Sequence, residues 1–207
     1  MSALIALTFI GVAAALLRGG SFAAWARVQI CWWSVALGSL AIQLFLHNPP
    51  IDRQPWALTW GPLIWTACLA ALLAVLVRNL MISRALRGPW LVAAVGVGLN
   101  VLVVVANGGF MPQSEEARLT TRGAPQAMTE PGEPQLRNVM PMSPETRLNW
   151  LGDVIPEPAW LPRNNVISIG DVLLGLGLGW WAFVITASSR RRVARVVRVV
   201  GAVHRVA

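Results

Sequence analysis

Four polar side chains stand inside or at the rim of long apolar runs: Gln43, Asn100, Asn107 and Asp171. Charged and amide groups at membrane depth are costly and turn toward the protein interior, so any polar chemistry in the spans falls to these residues. Gly96, Asn100 and Asn107 sit at i, i+4 and i+11, one stripe of a helix. Asp171, Gly175 and Gly179 sit at i, i+4 and i+8, a second stripe, whose two glycines form a small-xxx-small pair that admits a close neighbour. Asn100 lies six residues below Ala106 and Asp171 five below Val166. At ~1.5 Å per residue both are about 8–9 Å from the same boundary. The two runs should therefore pack antiparallel, with Asn100 and Asn107 near Asp171. Gly108, Gly109 and Ser168 would add hydrogen-bonding groups at the mouth. Two readings of the cluster stay open. Asp171 is either an acceptor that pins helices, capping the Asn107-Gly108-Gly109 backbone, or a binding or protonation site facing the outer aqueous side. One carboxylate does not make an aspartic dyad, and no second intramembrane acid is present to complete one.

Other chemistry is absent from the sequence. There is no P-loop, no Gly-rich dinucleotide turn after a strand, no His-Glu-x-x-His and no Cys-x-x-Cys. Two Cys and two His cannot build a disulfide framework or a four-ligand zinc site. Cys31 and Cys68 fall in apolar runs and read as small hydrophobes. No cofactor and no catalytic residue is expected.

The elements that must position the cluster are membrane helices. Of 207 residues, 56% are hydrophobic and 13% charged, about half the charge of a soluble domain. The mean hydropathy is +0.58. Five apolar stretches approach the ~20 residues that a helix needs to cross a bilayer: Ser2–Leu17, Gln29–Leu46, Ala57–Val77, Trp90–Ala106 and Val166–Ala187. The first is short. A signal peptide is its rival, since Ser21-Phe22-Ala23-Ala24-Trp25-Ala26 offers small residues for cleavage, but no cation precedes the apolar run. A retained span is expected.

Arginine sets the orientation. All 17 basic residues are Arg, for a net charge of +8. With five spans, the segments after spans 1, 3 and 5 share one side and hold 11 Arg with no acid. The other side balances to −3. The positive-inside rule then places the N-terminus outside and the C-terminus in the cytoplasm. Trp56, Trp60, Trp90 and Trp160 fall at span ends, where amphipathic rings prefer the headgroup level. His47 and His204 fall on opposite sides, so they cannot share a haem or a metal.

The expected organisation is spans 1–4 over residues 1–106, an outer segment over 107–165, span 5 over 166–187 and a basic tail over 188–207. The outer segment holds nine of the 14 Pro. Its middle, Gly123 to Gln135, reads as mobile, whereas its ends carry apolar anchors. Met111–Leu119 echoes Met140–Leu148 at six of nine positions. Each copy has a Ser placed as an N-cap with Glu in the first turn, so two short helices are expected. In the tail, Arg190, Arg191, Arg192, Arg195 and Arg198 are spaced for an amphipathic helix on the anionic headgroups of the inner leaflet. Directly after a span, that use fits better than nucleic acid.

Three motifs carry a resemblance: Asn100 with the run to Asn107-Gly-Gly-Phe-Met-Pro112, Thr146-Arg-Leu-Asn-Trp-Leu-Gly-Asp153-Val-Ile-Pro156, and Asn165-Val-Ile-Ser-Ile-Gly-Asp171-Val-Leu-Leu174. From about Leu17 to Trp181 the chain resembles an uncharacterised family of small multispanning bacterial membrane proteins. The resemblance implies an architecture and marks positions; it brings no activity. The reading is an all-α integral membrane bundle of five helices with short helices over the outer mouth. Its expected role is non-enzymatic, as an accessory or assembly subunit of a larger membrane complex, with other membrane subunits and lipids as partners. The alternative is a small carrier or ligand-binding protein with its site around Asp171.

Overall fold

A computed structural model describes residues 2–122, 136–161 and 164–203. The stretch from Gly123 to Gln135, expected to be mobile, lies outside the described residues. So do His204 and every side chain from Ser188 onward, including the five arginines assigned to lipid headgroups.

The chain is mostly helical. Its apolar helices are α1 (Ser2–Leu17), α2 (Trp33–Leu46), α3 (Pro55–Ile82), α4 (Arg87–Ala106) and α6 (Ile169–Val203), with a short helix α5 (Glu115–Arg122) in the outer segment. Three stretches are long and apolar enough to cross a membrane: Pro55–Ile82, Arg84–Ala106 and Ile169–Ala187. The helices α1 and α2 are apolar but shorter. Local chemistry accounts for the boundaries. Pro55 opens α3 at its first position, where a missing N–H costs nothing. Gly108 closes α4 in the left-handed region at φ +67. The Gly109 N–H then bonds the Val104 carbonyl and the Gly108 N–H the Val105 carbonyl, the Schellman arrangement.

Successive apolar helices alternate in direction. Leu46 packs near Ala57 at one end of the α2–α3 pair, and Asn79 bonds both backbone groups of Cys31 at the other. Trp65 packs with Val103 and Val104, Leu76 with Trp90 and Val97, so α3 and α4 are antiparallel. Gly88 faces Trp180, Ala93 faces Gly177 and Gly96 faces Gly170, so α4 and α6 are antiparallel too. The first and last helices are parallel, with Leu7 against Gly175, Gly11 against Gly179 and Gly20 against Thr186. The loops bearing Arg18, Arg78, Arg84 and Arg87 therefore gather at one end, and the 107–165 segment at the other. Many large side chains point outward, Phe9 and Leu63 among them. Trp56, Trp60 and Trp160 are exposed, but Trp90 is 4% exposed and belongs to the core with Trp181. It packs on Trp181 of α6, with ring centroids 5.7 Å apart.

The outer segment is less helical than expected. Strand β1 (Met111–Gln113) pairs in parallel with β2 (Val139–Pro141), Met111 opposite Val139. Strand β3 (Ile155–Pro156) pairs antiparallel with β4 (Val166–Ile167). The two echoed segments thus begin side by side as strands. Of their two expected helices, only α5 forms, with the Ala117 N–H donating to the Ser114 hydroxyl. After Ser143 the chain instead turns. The Ser143 N–H donates to the Thr146 hydroxyl, which donates onward to Asn149. Leu148 then takes φ +57, which ends any helix there.

Candidate carboxylate site at the start of α6

The site is built where α6 begins. Residues 166–168 were expected to be helical, but Val166–Ile167 is strand, and both residues and Ser168 are buried. Extended backbone at this depth is tolerated because protein surrounds it and β3 pairs with it. Consequently Asp171 lies in the first turn of α6, not a turn and a half below the helix start. Ser168 and Asp171 form a reciprocal capping box. The Asp171 N–H donates to the Ser168 hydroxyl at 3.0 Å and the Ser168 N–H to the Asp171 carboxylate at 3.3 Å.

Asn100 of α4 completes the arrangement. Its amide nitrogen donates to Asp171 Oδ1 at 2.8 Å, and its oxygen accepts from the Ser168 hydroxyl at 2.9 Å. Asn100 is 7% exposed, Ser168 fully buried. Glycine makes this approach possible: a Cβ on Gly170 would overlap the Asn100 amide, and one on Gly96 would overlap the Gly170 carbonyl.

Asn107 and the two glycines are elsewhere. The Asn107 oxygen accepts from the Arg147 N–H at 2.8 Å, and its nitrogen donates to the carbonyls of Arg147 at 2.9 Å and Val103 at 2.8 Å. Gly108 is exposed, and a Cβ there would meet nothing within 4 Å, whereas one on Gly109 would run into Pro62 of α3. Asp171 therefore does not cap the 107–109 turn; that backbone satisfies itself through the Schellman bonds. Asn107 acts as a latch that seats the outer segment on α4. Asn107→Ala removes the two bonds to Arg147, each worth about 1 kcal/mol. The expected outcome is much faster hydrogen exchange at the Arg147 amide, with the α4 amides unchanged.

A second carboxylate, read from the sequence only as part of the 107–165 segment, is buried beside β1. Asp153 is 8% exposed. Its N–H donates to the Pro112 carbonyl at 2.8 Å, and its carbonyl accepts from the Ser114 N–H at 2.9 Å, which ties it to the end of β1. Gly152 permits this, since a Cβ there would run into the Pro112 carbonyl. Burial pushes the Asp153 carboxyl up to about 8, and the neighbouring Asp171 charge pushes in the same direction; a hydrogen bond from Gln113 opposes both. At neutral pH the Asp153 carboxyl is therefore mainly protonated. The signal in the sequence was an acid inside an apolar run, Leu151-Gly-Asp153-Val-Ile155.

The sequence pattern of a family of unknown function, DUF5317, matches residues 27–183. The chain belongs to the DUF5317 family. That match spans Asn100, Asn107, Asp153, Ser168 and Asp171, so the carboxylate pair, its amide donor and the Asn107 latch all lie within the DUF5317 region. Among curated proteins and among solved structures, nothing matches the chain significantly.

Proposed function

We propose that this protein is a non-enzymatic, five-span protein of the bacterial inner membrane. In this reading its working part is the Asp153–Asp171 pair, which binds a proton or a small cationic ligand from the outer side. The observation that carries the reading is a second buried carboxylate, Asp153, within electrostatic reach of the first. Two acids placed together in a low-dielectric mouth are unfavourable unless something positive sits between them. Asn100 and Ser168 hold Asp171 rigidly, while Asp153 arrives on a separate segment. The amide donor satisfies one carboxylate and leaves the pair short of positive charge.

The alternating helix directions support counting α1 and α2 as spans, and the arginine-bearing end supports placing that end in the cytoplasm. In the same reading, the tail arginines rest on anionic headgroups. A second reading, an accessory or assembly subunit, is favoured by α2. That helix packs chiefly on α3 and buries only Ser39 and Leu46, so another membrane subunit has room to cover its outer face.

The two readings separate on purification in mild detergent. At pH 9, above the raised Asp153 value, sodium, potassium or ethylammonium should raise the melting temperature. At pH 6, where a proton already fills the role, they should not. Asp171→Asn should abolish the shift. Absence of any cation-dependent shift at pH 9, together with stoichiometric protein partners in the purified material, would replace the first reading with the second.

A further inference from the structure

At the opposite, arginine-bearing end, a half-open cleft of about 780 Å³ separates the segment leading into α2 from α3, α4 and α6. Its walls are largely apolar and aromatic, with Ile30, Trp33, Ile82, Leu86, Trp90 and Trp181 facing it. The size is in the ~300–1,000 Å³ range of small-molecule sites. One wall is held open by Asn79, which is 4% exposed. Its amide accepts from the Cys31 N–H at 2.9 Å and donates to the Cys31 and Val75 carbonyls at 3.0 and 2.8 Å. This clamp ties the chain before α2 to α3 through backbone hydrogen bonds. Asn79 has spent its donors and its acceptor on backbone, and the cleft is left as an aromatic slot with few polar groups free.

The charge beside the slot has one sign. Arg78, Arg84 and Arg87 are exposed next to lining residues Asn79, Ser83 and Leu86. Arg78 lies over the Trp32 ring, 5.9 Å from its centroid. No Asp or Glu occurs between Arg18 and Asn48, or between Thr66 and Asn107. An apolar slot whose lining residues Asn79, Ser83 and Leu86 each have an exposed arginine as chain neighbour, at the end of a membrane bundle, has the complementarity of an amphiphile with an anionic head.

We infer that this cleft binds one anionic phospholipid, with an acyl chain between Leu86, Trp90 and Trp181 and its phosphate at Arg84 and Arg87. The site is independent of the outer carboxylates and more specific than a general attraction of the basic tail to a charged surface, because it requires a chain in the slot as well as a charge at its edge. Arginine is suited to the second task, since its planar fork meets phosphate oxygens two at a time.

The test is retention of lipid by the purified full-length protein. Detergent-solubilised protein is mixed with phosphatidylglycerol or phosphatidylcholine of the same chain length, and bound lipid is counted by native mass spectrometry. One phosphatidylglycerol should be retained in preference to phosphatidylcholine. Arg84→Gln with Arg87→Gln should weaken phosphatidylglycerol by about 25-fold, at roughly fivefold per arginine, and leave phosphatidylcholine unchanged. Leu86→Trp, which fills the slot, should weaken both lipids. Glycerol phosphate, a head with no chain, should not compete. Equal retention of the two lipids, competition by glycerol phosphate, or retention untouched by the surface arginine pair would each overturn the inference. The arginine variants are exposed and keep the test valid if Leu86→Trp fails to fold.

Discussion

Asp153→Asn is expected to make the protein more stable at pH 8 and above, and to flatten a pH dependence that the wild type should show. The sign comes from the direction of the shift. In the folded chain the Asp153 carboxyl is pushed from its ordinary 3.8 up to about 8. Between those values the folded state keeps a proton that the unfolded state has lost. Stability tracks the difference in bound protons, so it falls as pH rises through this window. The full contribution is present below about pH 4 and is gone above about pH 8. The steepest loss this one group can cause is ~1.4 kcal/mol per pH unit. Since Asp153 is 8% exposed, water screens little of the effect. Asparagine keeps the shape and an acceptor for Gln113 but carries no charge at any pH. Thermal melting in detergent from pH 5 to pH 9 reads the difference: a falling curve for wild type, a flat one for Asp153→Asn, and divergence greatest at the alkaline end. Parallel curves would mean that Asp153 is not buried beside Asp171, and the proposed outer site would go with it.

What the sequence disclosed about this site depended on whether the information was local. Asn100 and Asp171 could be paired in advance because each lies on a helical stripe with glycine, and because depth can be counted along a helix at a fixed rise. The antiparallel meeting of α4 and α6 comes out of the same counting. The start of α6 could not be counted. Val166 and Ile167 are apolar and β-branched, and hydropathy does not separate a short buried strand from the first turn of a buried helix. Placing the helix start at Val166 hid the fact that Ser168 and Asp171 are spaced as a capping box, although the motif is plain once Ser168 is taken as the N-cap. The remaining misses are contacts across long separations. Asn107 meets Arg147 forty residues away, and Asp153 reaches the mouth through the backbone of Pro112 and Ser114. Neither periodicity nor composition encodes such pairings. The same limit explains the turn at Ser143: a correct N-cap residue is present, but Thr146 and Asn149 offer its backbone a competing set of bonds.

The second large effect concerns α1, whose place in the bundle rests on glycine. Gly11→Leu should be strongly destabilising, whereas Gly38→Ala on α2 should be neutral or slightly stabilising. A Cβ on Gly11 would collide with the Gly179 carbonyl, and one on Gly179 would stand 2.6 Å from the Leu7 carbonyl. These are backbone atoms of packed helices, so relief requires moving one helix away from the other. Moving α1 also strains the adjoining segment from Ser21 to Trp25. The Ser21 N–H bonds the Thr186 carbonyl at 3.1 Å, and the Trp25 indole bonds the Thr186 hydroxyl at 3.0 Å. Overpacking alone costs ~1–3 kcal/mol, and each broken hydrogen bond adds about 1 kcal/mol. Nothing lies within 4 Å of a Cβ on Gly38, so there the gain in helix propensity, at most ~1 kcal/mol, is all that remains. Melting temperature and protease sensitivity of the 18–33 loop compare the two variants directly. The contrast also decides between the two readings of the first apolar run. A removable leader has no reason to be intolerant at Gly11, whereas a helix that lies parallel to α6 and packs backbone to backbone does. Equal, small effects at Gly11 and Gly38 would detach α1 from the bundle and remove it from the proposed five-span reading.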